Sequence, residues 1–199
     1  MTEAFSLSYD YRCPFAKNIH LHVIAALRAG ADFAITFEPW SLSQGPRAPG
    51  APDVWEDPAM ADDVAALAAS VSVRDQQPDK FLATHEALFR ARHEKFIRLS
   101  TYKEVREGLD SVGVDVALVD SDLASGRPQK AMGESFHLYA KYEAFGVPTF
   151  LVDNDATFVR YMDPPNGDDE ASRQLISSIV SLIKGTPGLN EFKHTMVPN

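Results

Sequence analysis

Residues 5–18 read Phe5-Ser6-Leu7-Ser8-Tyr9-Asp10-Tyr11-Arg12-Cys13-Pro14-Phe15-Ala16-Lys17-Asn18, and a change of period inside this stretch decides the fold. Phe5, Leu7 and Tyr9 alternate with Ser6, Ser8 and Asp10, the two-residue repeat of a strand. The alternation breaks at Cys13-Pro14. Beyond it Phe15, Ile19, Val23 and Leu27 recur every four residues, the apolar stripe of a helix. Pro14 suits the first helical position, where its missing N–H would have gone unpaired, and Gly30 ends the helix. Cys13 therefore stands where a strand hands over to a helix, its sulfur beside unpaired backbone N–H groups and the positive end of the helix dipole. That placement predicts a stabilised thiolate, shifted from about 8.5 toward roughly the 3.5–7.5 range, with Arg12 and Lys17 adding positive charge. The alternative fate of a lone cysteine is to be a small buried hydrophobe.

Outward from this stretch, Asp32 to Glu38 alternates again through Phe33, Ile35 and Phe37 and completes a β-α-β unit. From Pro39 to about Asp57 the chain is rich in proline and glycine (Gly45-Pro46, Pro49-Gly50, Pro52), as a surface loop is. Helical signals alone follow, with helices expected at Pro58 to Val71, Pro78 to Phe96, Tyr102 to Val112, Val116 to Ala124 and Pro128 to Phe145. Thr101 and Glu104 have capping-box spacing, and Gly113, Gly126 and Gly146 stand where C-terminal glycines belong. Strands return at Thr149 to Val152 and Thr157 to Tyr161 around an Asp153-Asn154-Asp155 turn. A helix from Glu170 to Lys184 and an extended tail from Thr186 to Asn199 close the sequence. The aromatic residues Phe89, Phe96, Tyr102, Phe136, Tyr139, Tyr142 and Phe145 are expected to pack the helical region, some of them lining a substrate pocket where it meets the remainder.

With 199 residues, 45% hydrophobic and 24% charged, the chain can bury a full core without crosslinks. Its net charge of −9 disfavours phosphate backbones and anionic lipid, so neither nucleic acid nor membrane is expected as a partner. The first residues show no export signal and no run approaches a membrane span, so a cytoplasmic location is expected. One cysteine closes no internal disulfide, so the fold owes nothing to oxidation. The oligomeric state is left open, with a homodimer among the options.

Cys13-Pro14-Phe15-Ala16 resembles the active-site motif of the thioredoxin superfamily, and Gly146-Val147-Pro148-Thr149-Phe150 resembles the loop that bears its cis-proline. With the long helical segment between them, the whole pattern is similar to DsbA-like proteins, a group that includes kappa-type glutathione transferases and 2-hydroxychromene-2-carboxylate isomerases. Tyr9-Asp10 and the tail around Phe192-Lys193-His194 resemble actinobacterial DsbA-like reductases that use mycothiol. The resemblance implies an α/β, thioredoxin-like fold (β-α-β, then β-β-α) over 1–55 and 146–199, with an all-helical insertion over 56–145. In that fold the first and third strands lie antiparallel side by side, which brings Cys13 to Pro148. It implies Cys13 as the catalytic residue, and Pro14, Phe15, Ala16, Val147, Pro148 and Thr149 around the bound thiol or substrate, where the Val147 N–H and C=O can pair with an extended ligand. Asp10, Arg12, Lys17, His85 and His93 are candidate supports.

Ala16 stands where redox members of the group carry a second cysteine, so nothing in the chain can release a mixed disulfide formed on Cys13. A monothiol cycle is therefore expected. Cys13 attacks a disulfide or electrophile, and an external low-molecular-weight thiol, mycothiol or glutathione, resolves the adduct. Two other readings use the same residues: a transferase or isomerase whose site activates a bound thiol cofactor, and a non-catalytic module that holds extended peptides. His85 and His93, eight apart, share a helical face that points either at the cleft or into solvent. His20 and His22 point to different sides of the first helix, and His85-Glu86 lacks a second histidine at metalloprotease spacing, so no metal is expected.

Overall fold

Alternation from Phe5 to Tyr9 extends back two residues to form β1 (Glu3–Tyr9), and the stripe after Pro14 forms α1 (Pro14–Arg28). A computed structural model of the chain describes residues 2–45, 47–194 and 196. Pro46 of the expected proline-rich loop, and Thr195 and 197–199 of the expected extended tail, lie outside the described residues. β2 (Phe33–Pro39) runs parallel to β1, with Phe5 opposite Ile35 and Leu7 opposite Phe37. The helices that follow are α2 (Ala61–Gln76), α3 (Pro78–His93), α4 (Tyr102–Asp110), α5 (Val116–Ser125) and α6 (Arg127–Ala140). The chain then returns to the sheet through β3 (Thr149–Val152) and β4 (Asp155–Phe158) and ends its regular structure in α7 (Asp169–Gly185). The strand order is β2-β1-β3-β4, with β3 antiparallel to both β1 and β4.

Burial of the apolar side chains of β1 explains why the sheet holds here. Leu7 and Tyr9 are fully buried, and Ile19 and Val23 of α1 and Ile176 and Val180 of α7 reach the same core. At about 1.5–3 kcal/mol for each fully buried large apolar side chain, this is the dominant favourable contribution to the fold.

Four sequence expectations shift. The helix expected to start at Pro58 begins with a single 3₁₀ turn (Pro58–Met60), and the α-helix runs from Ala61 to Gln76, stopped by Gln77-Pro78 and by nothing at Val71. The helix expected to reach Phe96 ends at His93, and the one expected to reach Phe145 ends at Ala140. In the second case Glu143, not Gly146, takes the left-handed backbone (φ 56°), and the Ala144 N–H closes back on the Tyr139 carbonyl at 3.2 Å, the six-to-one bond of a Schellman turn. Phe96 and Phe145 are consequently 82% and 76% exposed, outside the expected aromatic packing, whereas Phe89 and Tyr139 are buried as expected. The hairpin turn is two residues long, Asp153-Asn154, with Asp153 at φ 54°, so β4 starts at Asp155 instead of Thr157.

Candidate thiol site

Cys13 is the N-cap of α1. Its backbone is extended (φ −86°, ψ 119°), Pro14 occupies the first turn, and the Ala16 N–H donates to Sγ at 3.4 Å. A tight turn delivers it there, for the Cys13 N–H donates to the Asp10 carbonyl at 3.0 Å. β1 and β3 run antiparallel, with Ser6 opposite Leu151 and Leu7 opposite Phe150, so the end of β1 meets the beginning of β3. The Cys13 thiol accordingly donates to the Val147 carbonyl oxygen at 3.1 Å, across 134 residues of sequence. The Val147–Pro148 peptide is cis. Behind it the Thr149 N–H donates to Ser8 Oγ at 2.9 Å, the Thr149 hydroxyl to the Gly146 carbonyl at 2.7 Å, and the Val159 N–H to the Pro148 carbonyl at 3.1 Å. Cys13, Val147, Pro148 and Thr149 are thus brought together, with Pro14 exposed, Phe15 half-buried and Ala16 fully buried beneath the sulfur.

The expected thiolate is not the form this geometry favours. Cys13 is only 7% exposed, and burial pushes its thiol up. The amides of Ala16 and Phe15 and the charge of Arg160 pull it down, Asp10 pushes it further up, and burial prevails. The amides at the helix terminus act in the expected direction, and desolvation outweighs them.

Arg12 does not face the sulfur either. Its guanidinium and backbone N–H bond Asp10 (Nη2 to Oδ2 2.6 Å, Nε to Oδ1 3.0 Å, N to Oδ1 2.9 Å), and it reaches Asp63 Oδ1 and Oδ2 at 3.0 Å each and Ser43 Oγ at 2.7 Å. Asp10, 1% exposed, also accepts the Leu42 N–H at 2.9 Å. The Asp10–Arg12 unit therefore clamps the cysteine turn to the loop after β2 and to α2, and the carboxylates of Asp10 and Asp63 neutralise the charge expected to help Cys13. Lys17 lies half-buried one turn further along α1.

The histidines support the turn from behind. His85 does not point into a cleft or solvent; it is fully buried, 2.8 Å from the Tyr11 hydroxyl through Nδ1 and 2.8 Å from His20 through Nε2. His93 donates from Nε2 to the Tyr11 carbonyl at 2.8 Å. Both rings are pushed down by burial. Sequence reading missed Ser8, Tyr11, His20 and Arg160, and only Tyr11 carried a signal, its place next to the Asp10-Arg12-Cys13 run.

A cavity of about 710 Å³ lies among α2, α5, α6 and the loop before them, lined by Trp55, Tyr102, Gln129 and Gly133 among others; Cys13, Val147 and Pro148 are not part of its wall. Among the described residues no group of three histidine, cysteine or acidic side chains is placed to hold a metal ion, and no helix is long and apolar enough to cross a membrane.

A mixed sheet in the order β2-β1-β3-β4, a cysteine capping α1 opposite a cis-prolyl loop, and five helices between β2 and β3 define a thioredoxin-like α/β protein with a helical insertion. The chain matches the DSBA-like thioredoxin domain over residues 6–166 and belongs to that family, placing it with the DsbA-like thiol oxidoreductases. Its fold is similar to those of several solved structures. A thioredoxin-like oxidoreductase from Silicibacter pomeroyi DSS-3 is 18% identical, with 92% of this chain and 87% of that one covered and a TM-score of 0.60. DsbA from Pseudomonas aeruginosa is 18% identical, with 92% and 85% covered and a TM-score of 0.60. The cytosolic disulfide reductase DsbM from Pseudomonas aeruginosa, solved with GSH, is 13% identical, with 90% and 100% covered and a TM-score of 0.61. At these identities the likeness is one of fold. A comparison with curated proteins gives no match.

Proposed function

We propose that the chain is a cytoplasmic monothiol thiol–disulfide oxidoreductase in which Cys13 is the nucleophile and an external low-molecular-weight thiol, glutathione or mycothiol, completes the cycle. One observation carries this reading: Cys13 Sγ sits 3.1 Å from the Val147 carbonyl, on the N-terminus of α1. In the resting form the thiol keeps its hydrogen and donates it to that carbonyl. Loss of the proton leaves a thiolate facing the Ala16 and Phe15 amides, and the thiolate attacks one sulfur of a disulfide, forming the Cys13 mixed disulfide and expelling the other sulfur as a thiolate. With buried Ala16 at the resolving position, a second molecule of small thiol attacks the mixed disulfide, regenerates Cys13 and leaves as a new disulfide. A reducing compartment suits such a thiol, which takes no part in holding the fold together. DsbM, a neighbour in fold, is described as a cytosolic disulfide reductase and was solved with GSH.

The buried, protonated state of Cys13 also supports a second reading, a transferase or isomerase in which the site holds the thiol of a bound cofactor and Cys13 forms no adduct. Incubating the reduced protein separately with oxidised glutathione and oxidised mycothiol, followed by intact-mass measurement, decides between them. The oxidoreductase reading expects one adduct per chain, absent in Cys13→Ser and released by the matching thiol. Binding of either thiol without an adduct supports the second reading, and neither adduct nor binding leaves the peptide-holding module.

A further inference from the structure

Among the described residues Lys17 and Arg160 are the cations near Cys13 without an ion pair, and Arg160 is the one set over the Phe15 ring. Arg12 is saturated by Asp10 and Asp63. Arg160 is exposed, and among the described residues it makes neither an ion pair nor a side-chain hydrogen bond. It lies just past β4, where the Val159 N–H bonds the Pro148 carbonyl, so the backbone carries it alongside the cis-prolyl loop. Its guanidinium carbon is 4.8 Å from the centre of the Phe15 ring and 5.9 Å from that of Phe158. Phe145, 76% exposed, continues this apolar ridge against Phe158 with ring centres 5.1 Å apart.

With its guanidinium carbon over the Phe15 ring and no side-chain hydrogen bond among the described residues, Arg160 keeps its N–H groups free to grip a carboxylate in two parallel hydrogen bonds. In a chain of net charge −9 the overall field repels anions, so admitting one beside the sulfur requires a local unpaired cation. Resting on the thiol–disulfide reading above, we infer that Arg160 is a substrate-binding residue and that the preferred disulfide carries a carboxylate near its sulfur, its apolar portion lying on the Phe15–Phe158–Phe145 ridge. In the exchange the carboxylate stays on Arg160 while the Cys13 thiolate bonds one substrate sulfur and the other leaves as the thiolate.

Two small aromatic disulfides test this. 5,5′-Dithiobis(2-nitrobenzoate) bears a carboxylate on each ring, and 4,4′-dithiodipyridine bears none. Each reports its reaction with Cys13 by the coloured thiolate or thione it releases. A change in thiolate fraction affects both rates alike, so the ratio of the two isolates recognition of the carboxylate. The expected result is a ratio about threefold to fivefold lower in Arg160→Gln, the size of an exposed ion pair, lower still in Arg160→Glu, partly kept in Arg160→Lys, and falling with added salt in the unaltered protein. An unchanged ratio in Arg160→Gln while both reagents react overturns the inference and leaves the oxidoreductase reading standing. An equal fall in Lys17→Gln assigns the preference to the general field and also overturns it. Inertness of Cys13 toward both reagents removes the oxidoreductase reading and this inference with it.

Discussion

His85 Nε2 lies 2.8 Å from His20 Nδ1, and the direction of every proton in the chain through this pair follows from one carbonyl. His20 Nε2 is 3.1 Å from the Ser8 carbonyl oxygen, which can only accept, so Nε2 carries the hydrogen. Burial pushes His20 down to about 3 and His85 well below the ordinary histidine range, so each ring is neutral and has one N–H. His20 Nδ1 is then an acceptor, His85 Nε2 its donor, and His85 Nδ1 accepts from the Tyr11 hydroxyl. Because Ser8 Oγ also receives the Thr149 N–H, one path of bonded residues runs from the cysteine turn to the residue after Pro148.

Acid should weaken the fold through this path. A proton added to His20 would set two N–H donors face to face, and one added to His85 would turn an N–H toward the Tyr11 hydroxyl that now donates to that ring, both in a buried site. Histidines of the unfolded chain titrate near 6.5, whereas these two stay neutral in the fold, so the unfolded chain binds up to two more protons. The stability they contribute is fully present above about pH 6.5 and is lost as pH falls toward the lowered folded values, with a slope approaching about 2.7 kcal/mol per pH unit for two protons. Urea unfolding between about pH 7.5 and pH 5 measures it. His85→Phe orphans the Tyr11 hydroxyl and His20 Nδ1, so it should be less stable at the upper pH by about 2–4 kcal/mol, and its pH slope shallower. An equally steep slope in that variant would show that the pair does not carry the effect.

Reactivity of Cys13 should rise late with pH. Burial is the largest influence on the thiol and raises it, with Asp10 acting in the same direction. Alkylation by iodoacetamide, followed across pH, is expected to inflect above the ordinary cysteine range, and Asp10→Asn should move the inflection down. The same substitution weakens the clamp on Arg12 and the bond from the Leu42 N–H, so it should lower stability by about 1–3 kcal/mol. A faster thiol in a weaker protein is the signature. An inflection below the ordinary range would mean that the helix terminus outweighs burial after all.

The sequence made part of this site legible and hid the rest for a physical reason. Cys13 and Pro148 were readable because each carries a local signature, a period change at a proline-led helix and a Gly-Val-Pro-Thr run before a strand, and strand topology joined them. The helix–strand order was readable for the same reason, since period reports on the face an element buries. Arg160, Ser8 and His20 have no such signature: what matters about each is its partner, at 145, 141 and 65 residues' separation in the cases of Phe15, Thr149 and His85. The sign of the Cys13 shift was misread because it depends on how much water the completed fold removes, which no neighbour in sequence reveals. Helix ends at His93 and Ala140 escaped because Phe96 and Glu143 adopt left-handed backbone, where a glycine would have announced the turn.

Gly133 is held glycine by Trp55, which packs against α6 from the loop before α2. A Cβ there would lie 2.7 Å from Trp55 Nε1 and 3.0 Å from Cε2, inside contact distance of a ring that is itself 9% exposed. Gly133→Ala gains about 1 kcal/mol of helix propensity and loses more to displacement of the indole, for a net destabilisation of about 1–2 kcal/mol. Gly185→Ala, in the last turn of α7 with nothing within 4 Å, should be neutral or slightly stabilising. Thermal unfolding together with Trp fluorescence separates the two. Equal behaviour would mean that Trp55 yields without cost.

Ala16→Cys tests whether the single sulfur is what makes the site monothiol. Position 16 is three residues into α1, its amide already 3.4 Å from Cys13 Sγ, and Cα atoms three apart in a helical turn are about 5 Å apart, within the span of a disulfide. The added sulfur enters a fully buried position, so the variant should lose about 1–3 kcal/mol to overpacking. Its chemistry should change more than its stability. When Cys13 of the unaltered protein has taken up one half of oxidised glutathione, the adduct should persist until more thiol is added. In the variant the new cysteine attacks the Cys13 sulfur, closes an internal disulfide and releases glutathione as the free thiol. Intact mass after one equivalent of oxidised glutathione reads this directly: a retained adduct in the unaltered protein, and in the variant no adduct and a loss of both titratable thiols. A variant that keeps the adduct would show that position 16 does not face the mixed disulfide, and the reading of Ala16 as the site of a missing resolving sulfur would fall.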